Sequence, residues 1–141
     1  MGKILCATRG GEASYQTQDA AIALAKERGD ELLFLFVVDT HFLDKTERAV
    51  RPDVVAGEME RMGEFLLAMA QERAQKQGVS ADYVLRRGAL REELKAAAHE
   101  EGVDLVVLGQ PANAGSTFGL ADLEAFAAEI EAETGVETVI V

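Results

Sequence analysis

The chain has 141 residues, a hydrophobic fraction of 48%, a single cysteine and a formal net charge of -11. This length and hydrophobic content predict one globular domain, residues 1–141, rather than a disordered chain. The negative charge argues against non-specific binding to nucleic acid or to anionic membranes. Every apolar run is far shorter than the roughly 20 residues that a membrane-spanning helix needs. The lone cysteine and the lack of a signal segment before the first strand favour a cytoplasmic location.

Apolar runs alternate with helical patterns along the chain. The runs predict strands at residues 3–8, 32–38, 81–87 and 103–109 and from Val136 to Val141, and the helical patterns lie at residues 12–28, 54–77, 90–101 and 120–134. The third strand is the most polar of the five, which is typical of a sheet edge. Residues 39–53 form the longest connection, and connections of this length are usually functional or mobile.

Five strands that alternate with four helices predict an α/β fold with a doubly wound, five-stranded parallel sheet in the order 3-2-1-4-5. Ligands bind such sheets beyond the carboxyl ends of the strands where the strand order reverses, here between strands one and four. The predicted ligand-binding residues at that rim are Ala7, Thr8, Arg9, Gly10, Val38, Asp39, Gly109, Gln110, Gly115, Ser116 and Thr117.

The long second helical pattern carries a stripe of methionine and aliphatic residues. Its members recur at spacings of three and four and are Val55, Met59, Met62, Leu66 and Met69. Such a stripe suits either core packing or an adaptable binding surface, and core packing is the favoured interpretation.

No pattern in the sequence indicates a catalytic or metal site. Cys6 lies within an apolar strand, where burial leaves a thiol inert. His41 and His99 are isolated and are expected at the surface, so metal-ligand spacing is missing. The acidic pairs of the third helix are expected to be solvated; they are Glu92-Glu93 and Glu100-Glu101. The expectation is a protein that is not an enzyme, with slow ATP hydrolysis left open.

The whole chain resembles the universal stress protein family. The features that carry the resemblance follow one another in family order: Lys3-Ile4-Leu5 into Gly10-Gly11-Glu12-Ala13-Ser14, then Ala20 to Ala25, Gly29-Asp30-Glu31-Leu32, Val37-Val38-Asp39, Gly88, and Val103-Asp104-Leu105-Val106-Val107-Leu108-Gly109. The resemblance implies a fold like that of adenine-nucleotide alpha hydrolases, a cytoplasmic stress-response role, and a homodimer formed through the last strand, Val136 to Val141. An apolar edge strand of this kind tends to pair with another chain.

The sequence departs from the nucleotide-binding members of that family. Those members carry Gly-x-x-Gly, nine residues and then Gly-Ser or Gly-Thr after strand four. Here Gly109 matches the first glycine, Ala112 stands at the second, and the later pair falls on Asp122-Leu123. An Asp that often ends strand one in the family is replaced by Arg9.

Two functions therefore remain open from the sequence. The first is a sensor that binds ATP, AMP or another anionic ligand between strands one and four, with Arg9 and the Gly115-Ser116-Thr117 segment on its phosphates. The second is a ligand-independent dimeric interaction protein whose protein partner is unknown. In that case Arg9 forms an ion pair with Glu12 or Asp39, and Gly115-Ser116-Thr117 caps the fourth helix.

Overall fold

The computed structural model describes residues 2–8, 12–39, 52–110 and 120–141. Strands and helices alternate along them: β1 (Lys3–Ala7), α1 (Glu12–Arg28), β2 (Glu31–Asp39), α2 (Pro52–Lys76), β3 (Ala81–Gly88), α3 (Leu90–Glu100), β4 (Leu105–Leu108), α4 (Leu120–Thr134) and β5 (Glu137–Ile140). The strands pair in parallel in the order β3-β2-β1-β4-β5. The predicted fold class and strand order are confirmed, including the edge position of the polar third strand.

Two helix pairs cover the two faces of the sheet. Residues along β1 alternate between the faces: Ile4 and Cys6 pack towards α1 and α2, whereas Leu5 packs towards α3 and α4. Strands β2 and β4 divide their side chains in the same way, because successive side chains of a strand point to opposite faces. Both faces are therefore buried, which explains why the central strands are apolar without interruption. Among the described residues, no helix is both long and apolar enough to cross a bilayer.

The prediction that the methionine stripe of α2 fills the core is wrong for three of its five residues. Met59 and Leu66 do pack against the core, but Val55, Met62 and Met69 are exposed, and Met62 retains 52% of its accessible surface. The helix meets the sheet mainly through a neighbouring, partly small-residue side, formed by Ala56, Gly63, Leu67, Ala70 and Ala74. Spacings of three and four occur on both sides of this helix, so spacing alone did not identify the buried one.

Helix α2 also begins two residues earlier than predicted, at Pro52 rather than at residue 54. Proline is accepted in the first turn of a helix, since its missing N–H would have no partner within the helix there. Of the long predicted connection, residue 39 belongs to β2, residues 52 and 53 belong to α2, and residues 40–51, including His41, lie outside the described part.

Two acidic residues of α3 that were expected to be merely solvated form ion pairs with β3. Arg86 donates to Glu93 (2.9 Å) and to Glu100 (2.8 Å), and these bonds raise the pKa of Arg86. The pairs join the edge strand to the helix that crosses its face.

A second ion-pair group joins α3 to α4. The ammonium of Lys95 lies 2.9 Å from a carboxylate oxygen of both Glu129 and Glu133. Hydrogen bonds to the two carboxylates raise the pKa of Lys95, and the bond from Lys95 lowers the pKa of Glu129. Because Lys95 is otherwise buried, these carboxylates provide the partners that a buried ammonium requires.

Candidate functional site

The candidate site is the crevice at the carboxyl ends of β1 and β4. These two strands pair with each other, and each has its second neighbour on the opposite side, β2 for β1 and β5 for β4. The connections that follow β1 and β4 therefore leave in opposite directions and open a gap between them. The strand order predicted from the sequence indicated this gap as the candidate site.

The structure brings part of the predicted site together. Six of the predicted residues are described, and they lie at the ends of three adjacent strands: Ala7, Thr8, Val38, Asp39, Gly109 and Gln110. The other five lie outside the described residues: Arg9, Gly10, Gly115, Ser116 and Thr117. None of the six described residues is cationic, so this part of the rim offers no positive charge to an anion.

Thr8 is fixed at the rim by two hydrogen bonds. Its backbone N–H donates to the carbonyl of Leu35 (2.9 Å), which continues the β1–β2 ladder past the last residue of β1. Its hydroxyl oxygen accepts a hydrogen bond from the Gln18 side-chain amide (2.8 Å). Both side chains are buried, so the geometry at the end of β1 depends on α1.

Gln18 is a residue that sequence reasoning missed. Its amide oxygen accepts from Arg73 of α2 (2.8 Å), so a chain of hydrogen bonds runs from the rim to the α1–α2 surface. Arg73 also pairs with Asp19 (2.5 Å) and lies over the Tyr15 ring, 4.8 Å from its centroid. A usable signal did exist: extending the buried positions of α1 backwards by helical periodicity marks Ser14, Thr17 and Gln18 as buried polar residues.

Gly109 is occupied by packing rather than left open for a ligand. A Cβ at this position would lie well inside the van der Waals distance of the Thr17 hydroxyl oxygen, and 3.1 Å from both the Cβ and the Cγ2 of Thr17. Thr17 is a buried residue of α1. The missing side chain of Gly109 therefore allows α1 to approach the end of β4, a role that glycines also have where helix and strand pack closely.

Gln110 has its backbone N–H committed to the sheet. This N–H donates to the carbonyl of Val141 (3.1 Å), and the N–H of Val141 donates to the carbonyl of Leu108 (2.9 Å). The β4–β5 ladder thus continues to Gln110, two residues beyond β4, and to Val141, one residue beyond β5. Gln110 was predicted to bind a ligand, but its backbone N–H already has a protein partner.

The predicted positions on the β2 side are largely structural. Val38 is fully buried and packs in the core beneath α1 and α2, and Ala7 packs against the opposite core. Asp39 lies in register with Gly88 of β3, which adopts a φ of +141°. A Cβ at Gly88 would also lie 2.8 Å from a carboxylate oxygen of Glu93, whose side chain would have to shift. Both the positive φ and this close approach therefore favour glycine there.

No described residue near the crevice shows the features of a nucleophile or metal ligand. Burial raises the pKa of the Cys6 thiol to about 12, which keeps it protonated and unreactive at neutral pH. Within the described residues, no group of three His, Cys, Asp or Glu side chains could hold a metal ion. A polar depression of about 300 Å³ does lie elsewhere, at the amino-terminal ends of β1–β3, where Lys3 donates to the Glu101 carbonyl (3.2 Å).

Comparison with known proteins gives a consistent family and fold. Residues 1–119 match the model of the universal stress protein family. Universal stress protein YxiE of Bacillus subtilis (strain 168) is 31% identical, with 76% of this chain and 77% of that protein covered. A universal stress protein family structure from Burkholderia pseudomallei is 22% identical, with a TM-score of 0.76, and covers 99% of this chain and 95% of its own.

Two further structures of similar fold contain a nucleotide. A universal stress protein in complex with cAMP is 21% identical and has a TM-score of 0.70, with 99% of this chain and 96% of that chain covered. A universal stress protein from Archaeoglobus fulgidus in complex with dAMP is 13% identical and has a TM-score of 0.64, with the same 99% and 96% covered.

Proposed function

The chain belongs to the universal stress protein family, and we propose that it is a cytoplasmic stress-response regulator acting through protein–protein contacts as a homodimer. In this proposal the chain is one domain, residues 1–141, and is not an enzyme. Homodimers are common in this family. The carrying observation is that Gly109 and Gln110, the first residues of the family's phosphate loop, are committed to the fold itself.

Four consecutive positions after β4 are poorly suited to a phosphate. Gly109 packs against Thr17, and the N–H of Gln110 is bonded to Val141. Pro111 lacks an N–H, and Ala112 adds a Cβ where the nucleotide-binding members have glycine. Phosphate loops work by presenting free amides to the anion, and this stretch presents few of them. The net charge of -11 adds a long-range repulsion of the anion.

Nucleotide carried through purification tests the proposal. The protein is purified without added nucleotide and denatured, and the released small molecules are analysed by mass spectrometry. We expect no stoichiometric adenine nucleotide, and no phosphate release from ATP above a buffer blank. A stoichiometric nucleotide, or steady hydrolysis by the purified protein, would contradict the proposal.

The second candidate function is binding of an adenine nucleotide or a similar anion in the crevice. The neighbours solved with cAMP and with dAMP favour it, because they share the fold. In this case Arg9 and the Gly115-Ser116-Thr117 segment supply the phosphate contacts. Thermal unfolding with millimolar ATP is the test: ligand binding to the native state raises the melting temperature. The increase should disappear in Gly115→Val and shrink in Arg9→Ala; an unshifted wild type refutes this function.

We further propose that the homodimer uses the edge of β5. The N–H of Val141 points to β4, so alternation along the strand turns the backbone groups of Thr138 and Ile140 outward. However, the outward N–H of Thr138 already donates to a carboxylate oxygen of Glu131 (2.9 Å). An added strand must displace this carboxylate, which weakens the edge as a template.

Replacement of Glu131 tests this interface. Glu131→Ala frees the N–H of Thr138, so the dimer dissociation constant should fall, as measured by sedimentation equilibrium. Glu124→Ala, at another exposed position of α4, is the control and should leave it unchanged. A dissociation constant that does not respond to Glu131→Ala would exclude β5 as the interface.

A further inference from the structure

We propose that the exposed face of α2 binds the α2 of a second copy of this chain in an antiparallel, coiled-coil type of contact. The surface concerned, called the outer seam, follows α2 at alternating spacings of three and four residues. It consists of Val55, Glu58, Met62, Phe65, Met69, Glu72 and Lys76, all of them exposed. This alternation is the heptad spacing of helices that pair side by side.

The centre of the outer seam is apolar and uncovered by the described residues. Phe65 exposes 66% of its surface and Met62 exposes 52%, and Met69 lies beside them with 37% exposed. The fold does not need these side chains, because α2 packs on the sheet through a different side. A contiguous apolar patch on one helix face is a usual mark of a contact surface, and methionine and aromatic residues are enriched in such surfaces.

The charges that border this centre are self-complementary. Glu58 and Arg61 precede the apolar residues, and Glu72 and Lys76 follow them. In an antiparallel pair centred at position 67, Glu58 lies opposite Lys76 of the second copy. Glu72 lies opposite Met62 of the second copy, one residue along from Arg61. The same register places Phe65 opposite Met69 of the second copy, so one arrangement forms both the Glu58–Lys76 pair and the apolar contact at the centre.

This pattern favours a second copy over an unrelated protein. A two-fold axis repeats every pair, so the Glu58–Lys76 pair forms once at each end of one apolar centre. A parallel arrangement would instead place Glu58 against Glu58 and Arg61 against Arg61, which is repulsive. Within the chain, Lys76 and Glu72 pair at 3.3 Å with both side chains largely exposed. Exposed pairs of this kind contribute little, so their exchange for intermolecular pairs costs little.

The contact is compatible with a dimer through β5. Helix α2 packs against β2 and β3, whereas β5 forms the other edge of the sheet. The seam is short, since the 25 residues of α2 span about 37 Å. A single helix–helix contact falls in the smallest class of specific interfaces, so we expect a dissociation constant of roughly 1–100 µM.

Sedimentation equilibrium of the full chain over a wide concentration range tests the proposal. Wild type should show an association step that Phe65→Glu weakens at least 10-fold. Ala125→Glu, which places the same charge at an exposed position of α4, should leave that step unchanged. Circular dichroism and thermal unfolding establish that each variant is folded. The proposal is overturned if wild type shows no association step that Phe65→Glu weakens. That outcome includes the case in which this face binds a different protein.

Charge reversal tests the register independently. Glu58→Lys and Lys76→Glu should each weaken the same step, because each places like charges opposite one another. The double variant restores opposite charges and should recover most of the wild-type affinity. Recovery supports the antiparallel pairing of two copies. Additive weakening in the double variant shows that these residues do not face each other, and overturns the proposed register and contact.

Discussion

Replacement of Gly109 by alanine separates a packing role from a phosphate-binding role. The added Cβ would overlap the Thr17 hydroxyl oxygen and lie 3.1 Å from two further Thr17 atoms. Thr17 is short, β-branched and buried, so it has little freedom to move aside. Overpacking of this kind costs about 1–3 kcal/mol, which for a chain of this size lowers the melting temperature by about 3–12 °C. The loss should appear without any ligand.

The assay is urea unfolding of Gly109→Ala, Thr17→Ala and the double variant. Thr17→Ala removes the overlapping oxygen and Cγ2, so the double variant should be more stable than additivity predicts, by about 1 kcal/mol or more. Gly57→Ala is the control, since a Cβ there meets nothing within 4 Å; as a helical glycine-to-alanine change, it should stabilise by about 0.5–1 kcal/mol. Gly109→Ala with wild-type stability, or strict additivity with Thr17→Ala, would refute the packing role.

Three other expectations follow from buried contacts. Gly63→Ala should destabilise the protein by about 1–3 kcal/mol, because its Cβ would lie 2.6 Å from the Phe36 ring; native-like urea stability would contradict this. Cys6, with a pKa raised to about 12 by burial, should resist Ellman's reagent at pH 8 in native protein and react fully in guanidinium. Rapid native labelling would show an accessible thiol. Lys95→Met should destabilise the protein at pH 7 in urea unfolding. Lys95 is the chief cause of the lowered pKa of Glu129. The stability that this interaction contributes is therefore present above the ordinary glutamate pKa and is lost as the pH falls through the pKa of Glu129 in the folded protein. The difference in free energy of unfolding between wild type and Lys95→Met should therefore narrow in acid. A difference that stays constant with pH would contradict this interpretation.

The sequence was sufficient for the fold because its strands and helices have different periodicities. Strands buried on both faces have unbroken apolar runs, as in β2, and the polar β3 was recognisable as an edge. The strand order then located the crevice. The predicted ends of helices and strands differ from the observed ends by one or two residues. At Pro52, for example, the proline was assigned to the connection although it suits a first helical turn.

The sequence predicted where the crevice lies, but not the contacts made by the residues at its rim. In the sequence, Gly109 looks like a phosphate-loop glycine. Its packing role is revealed only by the position of Thr17, which lies 92 residues earlier in the chain (109 − 17). The bond from Arg73 to Gln18 likewise joins residues 55 apart, with no local pattern to indicate it. The exposure of Met62 depends on which side of α2 meets the sheet, which the small residues of that helix decide.

Isothermal titration with ATP shows whether the segment after β4 binds phosphate, as a nucleotide-binding loop would. The wild type is first freed of nucleotide by unfolding and refolding, and AMP and cAMP are titrated in parallel. Because Gly109 and Gln110 are committed to the fold, we expect no binding heat at concentrations where a micromolar site would saturate, and no change in oligomeric state. Micromolar binding of ATP that is lost in Gly115→Val would contradict this expectation and would establish the sensor function instead.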